Sequence, residues 1–176
     1  MTEPNEGTGP PQQGAAGGPA RGGRRPAGGG RAQSRSARHR AREFAMQGVY
    51  QWLLSQEALG VIQAHIERSP GFSRADRPHF ELLLRAAIRQ APDLDALIVP
   101  HIDRELALLS PVERAILMIA CVELRDLQEI PYRVVINEAV DLAKDFGGTD
   151  GYKFVNGVLD RLAAGLRPLE AGANRR

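Results

Sequence analysis

Scarce cysteine and the lack of any long apolar run limit what this 176-residue chain can be. Its single cysteine, Cys121, excludes an internal disulfide and lies in an apolar stretch, where a buried and unreactive thiol is expected. No apolar segment reaches about 18 residues, and the N-terminus lacks the apolar block of a signal peptide. We therefore expect a cytoplasmic protein that does not cross a membrane.

The residue patterns that accompany catalysis or metal binding are also missing. The four histidines lie in separate segments without the spacing of a metal site; they are His39, His65, His79 and His101. The glycine clusters do not follow a strand or form a phosphate-binding loop, and no motif of a catalytic triad is recognisable. The sequence therefore predicts no cofactor, no metal site and no enzymatic activity.

The net charge of +2 hides an uneven distribution. Residues 1–42 contain eight arginines and two glutamates, which gives them a net charge of +6 and leaves the remaining 134 residues at −4. A block of one charge at a terminus often binds polyanions. Nucleic acid is therefore the first partner class to consider, and an anionic membrane surface is the second.

Residues 1–34 hold ten of the 19 glycines and five of the 12 prolines, with no aromatic or branched aliphatic side chain. Such a segment buries too little apolar area to offset its ordering entropy, so we predict a disordered basic arm. Arginines set among glycines resemble flexible arms that bind RNA nonspecifically, although composition alone fits a passive tail equally well.

The rest of the chain predicts an all-α fold with about seven helices joined by short connections over residues 35–169, before a flexible tail at 170–176. The central helix is predicted from Ser110 to Leu127, because Ser110, Pro111 and Glu113 match a capping box with proline at the first helical position. Residues 115–122 contain no polar side chain, so other helices must surround this one.

Two segments carry candidate binding residues. In the first helix, Arg35, Arg38 and Arg42 fall on one flank of the apolar stripe and form a ridge that is either solvated or binds an anion. Near the start of the last long helix, Phe154 falls at the edge of the apolar stripe and Lys153 points away from it. An aromatic face beside a cation suits a single-stranded base, whereas the plainer interpretation is a core rim beside a solvated lysine.

Four blocks, in this order along the chain, resemble the bacterial transcription antitermination factor NusB family. They are residues 37–50 (ARHRAREFAMQGVY), 110–117 (SPVERAIL), 136–147 (INEAVDLAKDFG) and 153–160 (KFVNGVLD). The resemblance implies a non-catalytic bundle of about seven helices in two packed helical subdomains. It also implies that RNA is bound by the arginine-rich start of the first helix and by the Lys-Phe pair of the last. Carried over, these residues are Arg38, His39, Arg42, Lys153 and Phe154. At position 39 the family usually has arginine and this chain has histidine, so we expect the stretch to lack one cation at neutral pH.

The resemblance also implies the partners. NusB-like proteins bind the boxA sequence of nascent RNA together with NusE, a small-subunit ribosomal protein, and join RNA polymerase complexes that transcribe ribosomal RNA. The surface that faces NusE would include Glu113 and Asp150. Two alternatives stay open: a helical adaptor that binds only proteins, and a detached RNA-binding domain of an RNA cytosine methyltransferase.

Overall fold

The computed structural model describes residues 29–173, and this part of the chain forms eight α-helices and no strand, which confirms the all-α prediction. The helices are α1 (Gly29–Ser55), α2 (Leu59–Glu67), α3 (Arg77–Arg89), α4 (Ala91–Ile98), α5 (Pro111–Asp126), α6 (Tyr132–Phe146), α7 (Gly151–Leu166) and α8 (Pro168–Ala173). The predicted arm and tail fall largely on residues 1–28 and 174–176, outside the described part; α1 begins within the predicted arm, and α8 covers the first residues of the predicted tail.

Helix α5 is the structural axis, as the sequence predicted. It packs against α1, α3, α4, α6 and α7, and all ten residues from 115 to 124 are buried. Cys121 is fully buried among them, and this burial raises the pKa of its thiol to about 11. The expected burial of Cys121 is confirmed, and a thiol with a raised pKa forms little of the reactive thiolate at neutral pH.

The predicted capping box at the start of α5 is wrong in one respect. Ser110 is the residue before the helix and Pro111 is its first residue, but the Ser110 side chain makes no capping hydrogen bond. The carboxylate of Glu113 instead lies beside the first residue of α7, Gly151. Proline's restricted φ angle therefore marks this helix start, and Glu113 is used in a contact between two helices.

The first half of the fold, α1 to α4, contains its own aromatic cluster. Phe72 makes edge contacts with Phe44 and Phe80, at centroid distances of 5.3 and 4.9 Å. Phe72 lies in a short 3-10 turn that follows Gly71, whose φ of +84° is the left-handed conformation that favours glycine. This turn carries the chain from α2 back over α1.

Helix α3 begins later than the sequence predicted. We expected it to start near Ser73, but the 3-10 turn Phe72–Arg74 intervenes and α3 starts at Arg77. The reason is the N-cap: the Asp76 carboxylate accepts a hydrogen bond from the backbone N–H of His79 at 3.1 Å. The backbone N–H of Asp76 in turn donates to the carbonyl of Ala37 at 2.9 Å, so the start of α3 is attached to α1.

The end of α5 is closed by one buried side chain that the sequence did not reveal. Arg167, between α7 and α8, donates to five backbone carbonyls: those of Glu123 (3.0 Å), Leu124 (2.7 Å), Leu127 (2.8 Å), Gln128 (3.4 Å) and Ile130 (2.8 Å). The last carbonyls of a helix have no partner within the helix, and Arg167 supplies one. Its guanidinium also pairs with Glu170 of α8 at 2.8 Å.

Candidate nucleic-acid interface

The start of α1 places Arg38 and His39 beside carboxylates of two other helices. Arg38 is 47% exposed, and its Nε lies 3.5 Å from Oδ2 of Asp76. His39 lies against α6, where its Nδ1 is 2.6 Å from Oε2 of Glu138. The exposed guanidinium of Arg38 is thus the more accessible of these two side chains.

Arg42, the third candidate cation of α1, is buried. Its residue is only 3% exposed, and its Nε donates to both carboxylate oxygens of Glu123 at 3.0 Å while Nη2 lies 2.9 Å from Oε1. The same Glu123 oxygen lies 2.8 Å from Nε2 of His79, and Nη1 of Arg42 is 3.6 Å from Glu138. The predicted solvent-facing ridge of arginines is therefore wrong at Arg42, whose anion is a carboxylate of the same chain.

The charge state of Glu123 follows from these contacts. Burial alone would raise the pKa of its carboxyl group, but the hydrogen bond to His79 and the ion pair with Arg42 outweigh burial, so the pKa lies below its ordinary value. An ionised carboxylate at this depth needs its partners. The Arg42 side chain therefore holds α1 against α5.

A cleft lies beside these residues, between α1, α3 and α6. Its lining combines two arginines with three acidic and three apolar side chains: Arg38, Arg42, Asp76, Glu129, Glu138, Ile130, Pro131 and Val134. A phosphate entering this cleft meets carboxylates as well as guanidiniums. Of the lining cations, Arg38 is the one that can turn toward an external anion, because Arg42 is buried in its ion pair with Glu123.

The start of α7 carries the other pair, and its geometry agrees with the sequence pattern. Phe154 is partly buried against the core, whereas the side chain of Lys153 is 64% exposed and its Nζ lies 2.9 Å from Oδ1 of Asp150. The guanidinium of Arg104 lies over the Phe154 ring, with Cζ 4.7 Å from the ring centroid. Phe154 thus has the placement predicted for a stacking platform, and its binding role stays a prediction.

The two residues predicted to face a protein partner are neighbours. Asp150 precedes α7 with a φ of +38° and makes no capping hydrogen bond. A Cβ on the next residue, Gly151, would lie 2.5 Å from Oε1 of Glu113, so the absence of a side chain there makes room for the Glu113 carboxylate. Helix α5 therefore starts against α7 with Glu113 and Asp150 on adjoining segments.

The candidate residues form two clusters at opposite ends of α5. Glu123 contacts Arg42 at one end, and Glu113 contacts Gly151 at the other. Ten residues separate these glutamates, about 15 Å along a helix. Helix α6 connects the clusters, because Glu138 pairs with His39 and Lys144 lies 5.5 Å from the Tyr152 ring centroid. Helix α6 therefore contacts both clusters.

Residues that sequence reasoning missed are those whose role depends on a distant partner. Glu123, His79, Arg104 and Arg167 belong to no short motif. Glu123 offered one signal, since it continues the buried face of α5 at helical spacing and a buried acid requires a cation. Among residues 29–173, no group of three histidine, cysteine or acidic side chains could hold a metal ion, and no helix is long and apolar enough to cross a membrane.

Comparison with known proteins decides which family has this arrangement. The NusB family profile matches residues 39–164, which include α2 to α6 and most of α1 and α7. The chain belongs to the NusB family. Among curated relatives, the transcription antitermination protein NusB of Ralstonia pickettii is 53% identical over 145 residues (82% of this chain, 94% of the relative). That of Bordetella pertussis is 57% identical over 148 residues (81% and 96%).

Solved NusB structures share the fold. T. maritima NusB matches with a TM-score of 0.64 and 31% identity, covering 71% of this chain and 89% of that one. A crystal structure of the antitermination factors NusB and NusE in complex with double-stranded RNA matches with a TM-score of 0.63 and 26% identity, covering 72% and 96%. The NusB family resemblance predicted from four sequence blocks is thereby confirmed.

Proposed function

We propose that this chain is an RNA-binding transcription antitermination factor that binds boxA of nascent RNA together with NusE. In this role it joins the RNA polymerase elongation complex in the cytoplasm and supports processive transcription of ribosomal RNA. The observation that carries the proposal is its membership of the NusB family, whose curated relatives are named transcription antitermination proteins. The solved complex of NusB and NusE with RNA supports both partners. The protein works by binding and not by catalysis.

The physical role that we assign to the scaffold is to hold two contact points along one RNA path. Phe154 provides the aromatic ring of a stacking site for a base, and the exposed Lys153 offers a charge for a phosphate. At the other end, Arg38 contacts the phosphate backbone and His39 adds a contact that depends on release from Glu138. Arg42 contributes indirectly, because its ion pair with Glu123 sets the position of α1.

The protein partner is assigned to the adjoining surface. Glu113 and Asp150 lie where the starts of α5 and α7 meet, next to Phe154. NusE bound there would lie beside the RNA, which gives a direct route for the two partners to bind cooperatively. Base choice would then arise from edge contacts or from NusE, since stacking on Phe154 accepts any base.

The test is a fluorescence anisotropy titration of the full chain with a boxA RNA oligonucleotide, with and without NusE. We expect boxA RNA to bind more tightly than a scrambled single strand, and NusE to strengthen the binding; a double-stranded boxA probe is titrated in parallel. Phe154→Ala should weaken binding by about 1 to 3 kcal/mol. Binding of NusE without any RNA affinity would instead identify a helical adaptor for proteins alone.

The methyltransferase alternative has less support. This chain covers 94% and 96% of the two curated relatives above, and both are named as antitermination proteins.

A further inference from the structure

Arg104 joins the α7 end of the candidate interface from a segment that the family blocks do not include. It lies between the 3-10 turns Val99–His101 and Leu106–Leu108, in the connection from α4 to α5. Its guanidinium covers Phe154, with Cζ 4.7 Å from the ring centroid, yet 43% of the side chain remains exposed. The ring that would stack a base is thus already paired with a cation whose outer side faces solvent.

A second arginine fixes the connection against α7. Nη2 of Arg161 donates to the backbone carbonyl of His101 at 2.6 Å. Arg161 follows Phe154 by seven residues, so both lie on one face of α7 about 10 Å apart. Gly157 lies between them on the same face, and a Cβ there would touch only Nη1 of Arg161, at 3.6 Å. The surface between Phe154 and Arg161 is therefore open to a flat group.

Acidic side chains near Arg104 are few and exposed or peripheral. Nε of Arg104 donates to Oδ1 of Asp103 at 2.8 Å, but Asp103 is itself largely exposed. Glu113 lies close enough to interact electrostatically with Arg104. An ion pair between neighbouring, exposed side chains is worth little in water, so a phosphate can compete with Asp103 for this guanidinium.

We propose that Arg104 is an RNA-binding residue that extends the Phe154 platform, with Arg161 binding the adjacent phosphate. The guanidinium stays on the Phe154 ring and offers its outer plane to an unpaired base, since both aromatic rings and guanidinium planes stack bases. Arginine suits this position better than lysine because its charge is planar and weakly hydrated. This assignment rests on the proposed RNA-binding function and adds a segment, residues 102–105, to the interface.

The experiment compares variants of the full chain by anisotropy titration with single-stranded boxA RNA at several salt concentrations. Arg104→Ala should weaken binding at least fivefold because the stacking plane is lost, and Arg161→Ala should make the slope of log affinity against log salt less steep by about 0.7, the value for one lost phosphate contact. Arg104→Lys should keep the slope and still weaken binding, because the charge remains and the plane is lost. Arg85→Ala is the matched control, since Arg85 is an exposed arginine on α3 whose Nε donates to Oε1 of Gln63 on α2 at 3.4 Å.

The outcomes distinguish failure of the Arg104 assignment from failure of the proposed function. If Phe154→Ala weakens binding and Arg104→Ala behaves like Arg85→Ala, Arg104 is not part of the interface, and the proposed function stands without it. If neither variant weakens binding while wild type binds boxA RNA, the α7 end is not the RNA site. If Arg104→Ala spares RNA affinity but weakens NusE binding, the segment belongs to the protein interface and the inference is wrong. Circular dichroism melts confirm that each variant is folded.

Discussion

Arg42 and Glu123, 81 residues apart in the chain, form a buried ion pair in which one guanidinium nitrogen contacts both carboxylate oxygens at 3.0 Å. The pair joins α1 to α5, and Nε2 of His79 on α3 donates to the same ionised carboxylate at 2.8 Å. Side chains of α1, α3 and α5 therefore meet at the Glu123 carboxylate. Arg42 lies in the block that was predicted to bind RNA, and in this structure its guanidinium stabilises the packing of the helices.

Removal of the Glu123 carboxylate should strongly destabilise the protein. Glu123→Ala leaves Arg42 and His79 buried without their partner, and breaking a buried ion pair costs about 3 to 5 kcal/mol. We expect urea denaturation to report a loss of stability of that size. Asp141→Ala, an exposed acid on α6, should change stability by no more than about 0.5 kcal/mol. A Glu123→Ala variant as stable as wild type would contradict the structural role of the pair.

The same carboxylate predicts a loss of stability in acid. Because the pKa of Glu123 is lower in the folded protein, the unfolded chain binds a proton more readily, and stability rises with pH between the two pKa values. The contribution is complete above the unfolded value of about 4.3 and is lost as pH falls through the folded value. Urea midpoints measured from pH 7 to pH 3 should therefore fall more steeply for wild type than for Glu123→Gln. Equal slopes would show that this group does not drive the acid response.

Arg167 should be as important to stability as a core residue. Arg167→Ala removes a guanidinium that donates to five backbone carbonyls at and after the end of α5, and the bonds to Glu123, Leu124 and Ile130 are buried. Hydrogen bonds to a charged group contribute about 1.5 to 3 kcal/mol each. We expect a loss of at least about 3 kcal/mol in thermal or urea denaturation. Arg167→Lys should recover only part of the lost stability, because an ammonium lacks the planar, forked set of N–H donors that reaches these carbonyls. The exposed Arg133→Ala is the control, and a similar small effect for both would refute the prediction.

Arg38 and Arg42 should differ in the kind of defect that they produce. Arg38→Ala removes an exposed side chain, so it should weaken boxA RNA binding and reduce the salt slope by about 0.7 without changing the melting temperature. Arg42→Ala should lower the melting temperature first, because Glu123 loses its cation. Melting curves and anisotropy titrations of both variants check this. A stable Arg42→Ala variant with an isolated RNA defect would show that Arg42 contacts RNA directly.

The helical architecture could be predicted from local pattern because each signal lies within a few residues. The apolar run at 115–122 required a surrounded helix, and α5 is surrounded. Phe154 and Lys153 were separated by their positions on one helix, and their burial differs as that periodicity indicates. Helix starts were less secure, since Asp76 rather than Ser73 sets the start of α3 and Ser110 does not cap α5.

What only the tertiary structure decided is which charges find each other. The sequence by itself determined an all-α chain of the NusB family, its central apolar helix and the residue types of a possible RNA surface. It left Arg42 on the flank of the apolar stripe, in a ridge that was either solvated or ready to bind an anion, and it did not indicate a carboxylate of the same chain. The fold brought Glu123 to Arg42, Arg104 to Phe154 and Arg167 to the end of α5 across dozens of residues. Periodicity fixes the direction of a side chain on its own helix, whereas a partner depends on how helices pack, and no local pattern encodes that.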